Sequence, residues 1–126
     1  MMYSRIVTVA GIMLLAACAP KPDVQSVDGS YRLAGIDGQK VPASATLMIA
    51  GNQISGQGPC NAYNAQNSAA WPAVALSPIA STRRACITEG GEAGYFAALG
   101  QTNMAQRSGD MLVLSGPQYT MRFIAE

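Results

Sequence analysis

The last quarter of the chain carries the clearest alternation of apolar and polar positions. Across residues 119–124, Tyr119, Met121 and Phe123 share one face, and Thr120 and Arg122 the other. Just upstream, Leu112 and Leu114 alternate with Met111 and Val113. A period of two places successive side chains on opposite sides of a strand, so both segments predict half-buried β-structure. Ser108-Gly109-Asp110 and Gly116-Pro117 are turn signals between them, and with residues 103–107 they predict a closing β-meander. The first half repeats the pattern. Residues 29–36 set Tyr31 and Leu33 on one face ahead of an Asp37-Gly38 turn. Residues 45–50 do the same with Leu47 and Ile49, and Gly51-Asn52 is a tight hairpin turn into residues 53–56, where Ile54 points inward.

The middle is less regular. Residues 56–63 read as a loop, and residues 64–71 are small and polar with no element assigned. Pro72 after the single tryptophan, Trp71, predicts an edge or a loop corner. Residues 73–77 form a short strand candidate, and residues 81–86 lead towards a helix over 89–99. That helix carries Glu89 and Glu92 at its dipole-positive start, with Phe96 and Leu99 three apart and Gly100 as its C-cap, despite glycines at 90, 91 and 94. About seven strands and one helix make an α+β domain: a small antiparallel sheet or open barrel over residues 29–126.

The N-terminus follows a different rule. Arg5 supplies one charge, and residues 6–15 follow as an uncharged, mostly apolar run. Such a run is too short to span a bilayer, which takes about 20 residues, and it fits the apolar region of a signal peptide over residues 1–17. Leu15-Ala16-Ala17-Cys18 resembles the lipobox of bacterial lipoproteins. That resemblance implies diacylglycerol on the thiol of Cys18, cleavage before it, and acylation of the new N-terminus. Several acyl chains on one residue hold a protein firmly, where one is marginal. Ala19, in place of Asp, implies sorting to the outer membrane, facing the periplasm. Residues 18–28, with two prolines and no periodicity, form a tether.

With Cys18 assigned to lipid, Cys60 and Cys86 remain, and outside the cytoplasm a disulfide is the expectation. There is no Cys-x-x-Cys spacing to favour redox or metal chemistry. The absence of histidine removes Ser-His-Asp and Cys-His catalysis and imidazole metal sites. Without Arg5 the chain has seven basic and seven acidic side chains, so it has no electrostatic footprint for nucleic acid. No cofactor or metal is expected.

The chain resembles the META domain family, which includes HslJ-like heat-shock lipoproteins. The resemblance rests on Tyr31-Arg32-Leu33 with Asp37-Gly38, on Thr46-Leu47-Met48-Ile49 with Ile54-Ser55-Gly56, and on Gly58-Pro59-Cys60-Asn61-Ala62-Tyr63. It continues through residues 76–82, Cys86, then Glu92, Phe96 and Leu99, and residues 110–114. The chain departs from the pattern at Pro59, where glycine is common, at Gly94, and at Trp71-Pro72. The resemblance implies a small antiparallel β-structure wrapped around one helix, in envelope lipoproteins linked to stress and antibiotic tolerance, with no catalytic residues. It also implies kinship of architecture with pilot lipoproteins that chaperone secretin rings, although folds do not carry functions with them.

The candidate binding residues are few. Asn61 reads as a ligand contact or as a turn residue suited to positive φ. Thr82 reads as a ligand contact or a cap hydroxyl. Arg83-Arg84, the adjacent like charges, suit an acidic partner or a lipid headgroup, or a solvated loop. Glu89 and Glu92 lack a companion base or nucleophile. The expectation is a non-enzymatic, membrane-anchored envelope protein that binds a protein partner or ligand, either in a stress or envelope-integrity role or as an assembly lipoprotein.

Overall fold

The computed structural model describes Gly11 and residues 25–40, 44–86 and 90–126. Cys18 and Glu89 lie outside the described residues. Eight strands form one antiparallel sheet: β1 (Gly29–Ile36), β2 (Thr46–Ala50), β3 (Gln53–Gln57), β4 (Ala62–Gln66), β5 (Ala80–Ser81), β6 (Met104–Ser108), β7 (Met111–Ser115) and β8 (Thr120–Ala125), with one helix, α1 (Glu92–Gly100). Their order is β5-β4-β3-β2-β1-β8-β7-β6, so the first and last long strands are neighbours at the centre. The sheet is open, and a covering segment reaches its β6 edge through an Ala73–Met104 bridge.

The turns follow their residues. Asp37 and Gly38 both have positive φ, 52° and 78°, as a type I′ turn requires. Gly51 and Gly109, each first in a two-residue hairpin loop, have φ of 59°. On the strands the predicted faces hold: Tyr31, Leu47, Ile49, Ile54, Leu112, Leu114, Met121 and Phe123 are buried together. Helix α1 completes that core with Tyr95, Ala98 and Leu99. Gly56 permits the closest approach within it, because a Cβ there would stand 2.1 Å from the Thr46 carbonyl oxygen and 2.8 Å from the Tyr63 hydroxyl.

The middle of the chain differs from its reading. Tyr63 and Ala65 are buried and pair β4 with β3 where no element was assigned. The reading missed them because the inward residues are separated by small polar ones rather than by a run of large hydrophobics. Residues 73–77 make only isolated bridges, Ala73 to Met104 and Leu76 to Asn67, instead of a strand. The Trp71-Pro72 peptide is cis and turns the chain at that corner. Helix α1 begins at Glu92 rather than residue 89, because Gly90 and Gly91 adopt φ of 63° and 82°, outside the helical region. Gly100 is its last residue and Gln101 takes the cap position.

Candidate functional site

Two surface regions concentrate polar groups or open space. The first surrounds the disulfide. Cys60, between β3 and β4, is bonded to Cys86, with Cα atoms 6.2 Å apart. Glu92, the first residue of α1, sits where the helix dipole favours an anion. Its Oε1 accepts hydrogen bonds from the backbone N–H groups of Cys60 (3.1 Å) and Asn61 (2.6 Å). Its Oε2 accepts one from Asn61 Nδ2 at 2.8 Å. Burial works to raise the Glu92 pKa, but the hydrogen bonds from the Asn61 side chain and from the Asn61 and Cys60 backbones outweigh it and hold the carboxyl below its ordinary value.

Asn61 is buried and extends this network to the disulfide's other arm. Its Oδ1 accepts from Thr82 Oγ1 at 3.0 Å and from the Arg84 N–H at 2.6 Å, and its carbonyl accepts from the Gly58 N–H at 2.7 Å. Asn61 does not take positive φ; among described residues Asp37 is the one non-glycine that does. Thr82 does not cap the helix, which starts ten residues later. The two side chains lock the β3–β4 connection carrying Cys60 to the segment carrying Cys86. Arg83 and Arg84 point outward from that segment, exposed, beside a shallow depression of about 540 Å³ that Thr82, Glu92 and Phe96 also line. Among the described residues neither guanidinium has a hydrogen-bond or ion-pair partner. Beneath them Tyr63 and Tyr95 join hydroxyl to hydroxyl at 2.6 Å, and Tyr63 donates to the Thr46 carbonyl at 2.7 Å. Burial raises both phenols, so neither ionises near neutrality.

The second region was not singled out in the sequence. A groove of about 600 Å³ runs along β6, walled by Trp71-Pro72 on one side and by residues 25–28 on the other. Trp71 is fixed by donating its indole N–H to the Gly51 carbonyl at 2.8 Å. Residues 25–28 are strapped down by Arg107, whose Nη1 donates to the Asp28 carbonyl (2.9 Å) and the Tyr31 hydroxyl (3.2 Å). That guanidinium also lies 5.4 Å from the centre of the Tyr31 ring. The Ala105 N–H donates to the Pro72 carbonyl at 2.9 Å, so the backbone of Ala105, and of Arg107 two residues on, faces away from β7. Past that contact, the Ala105 carbonyl and the Arg107 N–H and carbonyl have no hydrogen-bond partner among the described residues. The sequence signal for this region was present in the isolated Trp-Pro pair, but nothing in spacing alone connects it to a strand 33 residues later.

The META domain model matches residues 23–126. The chain belongs to the META domain family. A protein from Burkholderia xenovorans solved by NMR is similar in fold, with a TM-score of 0.65 at 24% identity, over 86% of this chain and 99% of that one. No curated protein matches the chain. Within the META domain, the disulfide network and the β6 groove occupy opposite ends of the strand order, near β4–β5 and at β6 respectively. Among the described residues no cluster of His, Cys, Asp and Glu is placed to hold a metal ion, and no helix is long and apolar enough to cross a membrane.

Proposed function

We infer that this META-domain protein is lipid-anchored through Cys18 in the bacterial envelope, at the outer membrane facing the periplasm, and acts by binding rather than by catalysis. The observation that carries the binding reading is the β6 groove. It combines an apolar wall at Trp71-Pro72 with a strand edge on which the Ala105 carbonyl and the Arg107 N–H and carbonyl lack partners among the described residues. An extended peptide laid along β6 satisfies those groups as an added strand, while Trp71 and Pro72 supply apolar contact. The partner is therefore a protein that presents an extended segment. A crevice beside an open edge favours an assembly role, such as a pilot for an outer-membrane secretin, over a general stress role. The anchor is supported by the charge, length and lipobox order of residues 1–18. The absence of histidine supports a role without nucleophilic chemistry.

The test uses the full chain in cells, with a photo-crosslinking residue at Gln106 beside the groove or at Asn64 on the far half of the sheet. One dominant protein adduct from position 106, absent from position 64, is expected. Equal adducts from both positions, or none from either, overturn the groove as the binding seat. In parallel, Cys18→Ala is expected to leave the membrane fraction. Its retention there at high salt overturns the anchor.

A further inference from the structure

The two halves of the outward sheet face differ in chemistry. On β1, β8, β7 and β6 the outward positions include Arg32, Arg122, Met104, Met111, Val113 and Ile124. The register sets Arg32 beside Ile124 and Ile124 beside Met111, with Arg122 beside Val113, so the cations stand within an apolar row. Met111 is 40% exposed and Met104 42%, while Met48 on β2 is 50% exposed, so the two halves differ in charge rather than in exposed apolar surface. Both arginines are exposed and have no hydrogen-bond or ion-pair partner among the described residues. No carboxylate occupies an outward position on these four strands. Asp28, Asp37, Asp110 and Glu126 lie at strand ends: the first two flank β1, Asp110 is in the β6–β7 turn and Glu126 follows β8. The outward positions of β2, β3 and β4 carry no charge at all.

The chain enters the domain at the same place. The Gln25 amide makes two hydrogen bonds with the backbone of Gly109, donating to its carbonyl at 3.2 Å and accepting from its N–H at 3.0 Å. Gly109 lies in the β6–β7 turn, two residues before Met111. Seven residues lead from Cys18 to Gln25, and they span at most about 25 Å even when fully extended.

We propose that the outward face of β1, β8 and β7 rests on the anionic lipid surface of the membrane that holds the anchor, with Arg32 and Arg122 on phosphate groups and Met111 and Ile124 between headgroups. The proposal rests on the lipid-anchor reading above. Two arginines and a few apolar side chains bind a bilayer weakly from solution. A short tether makes the contact intramolecular and raises its effective concentration, so a weak surface suffices. Arginine stems cover apolar neighbours while their charged ends reach phosphate, which suits a row of mixed character. Docked this way, the domain has a fixed side towards the membrane, and the depression beside Arg83-Arg84 lies on the half of the sheet away from it.

The experiment uses the full acylated chain in vesicles of phosphatidylethanolamine and phosphatidylglycerol. A fluorophore is placed at Val113 or at Asn64, and quenching by lipids brominated near the headgroup is measured. Quenching at position 113 is expected to exceed that at 64 several-fold. Arg32→Glu/Arg122→Glu should abolish the difference, whereas Arg83→Glu/Arg84→Glu, with the same change of charge, should preserve it. Melting curves establish that each variant is folded. Equal quenching at the two positions, or equal loss in both double variants, overturns the proposal while acylation, read by mass, leaves the anchor standing. A chain that proves unacylated overturns both.

Discussion

The disulfide network and the β6 groove are both polar in part, yet they are opposites in hydrogen-bond accounting. Around Cys60 and Cys86, Asn61 and Glu92 use their oxygens on backbone and side-chain donors of the protein itself. Along β6, three backbone groups of Ala105 and Arg107 are left without a protein partner among the described residues. A dense set of polar contacts therefore marks the part of the domain that holds itself together. The place equipped to hold something else is the one with fewer contacts and unmet bonding capacity. The amide and hydroxyl residues that look most like ligand contacts in the sequence serve the scaffold.

The contrast can be broken most severely at the disulfide. Cys60→Ser/Cys86→Ser is expected to cost roughly 3 kcal/mol, read as a fall in denaturation midpoint under oxidising conditions. An unchanged midpoint would mean the bond contributes nothing. Asn61→Ala removes the side chain that joins both arms and strands the Arg84 N–H and one Glu92 oxygen, for a loss of about 2 kcal/mol with the disulfide still formed. Glu92→Gln should cost less, about 1–2 kcal/mol at neutral pH, since the site is partly solvated. Its pH dependence sharpens the test. The native carboxyl titrates below its ordinary value, so its contribution is complete above that ordinary value and disappears as pH falls through the lowered one. The stability gap between wild type and Glu92→Gln should accordingly narrow on acidification, and a gap that is constant with pH would remove the carboxylate from the network. The smallest effect is expected in the groove: Ser108→Lys, exposed on the same strand and clear of the crosslinking position, should alter stability by no more than about 0.5 kcal/mol while adding a cation at the strand edge, a device that discourages strand addition. Loss of the crosslinked partner without loss of stability is the expected signature, and a large fall in melting temperature would make the groove structural.

Much of the fold was legible because its signals are local. Alternation at residues 111–114 and 119–124 required only the sequence, and Asp37-Gly38, Gly51 and Gly109 turn where such residues must. The cysteine pair was readable from the number of cysteines and the oxidising compartment that the N-terminal pattern leads one to expect. What escaped depended on partners remote in the chain. β4 was missed because its inward pair, Tyr63 and Ala65, is flanked by alanine and asparagine and gains its identity from β3. Residues 73–77 resembled a strand but bridge two different neighbours, Asn67 and Met104, so no ladder forms. The helix start was placed three residues early because acidic side chains suit an N-terminus, and the paired glycines that set the true start act through φ instead. The groove was illegible for the same reason as β4: Trp71 and Arg107 meet only once the sheet is assembled.

The central pairing of β1 with β8 ties the domain's integrity to a strand remote from β1 in the chain. Tyr31 lies opposite Ala125, and Leu33 opposite Phe123, so one side of β1 stays bare until residues 120–125 arrive. Hairpins among β1 to β4 can form as soon as they emerge, but the core containing Tyr31 and Phe123 closes only once β8 is in place. Removal of residues 120–125 would thus take away the middle of the sheet rather than an edge.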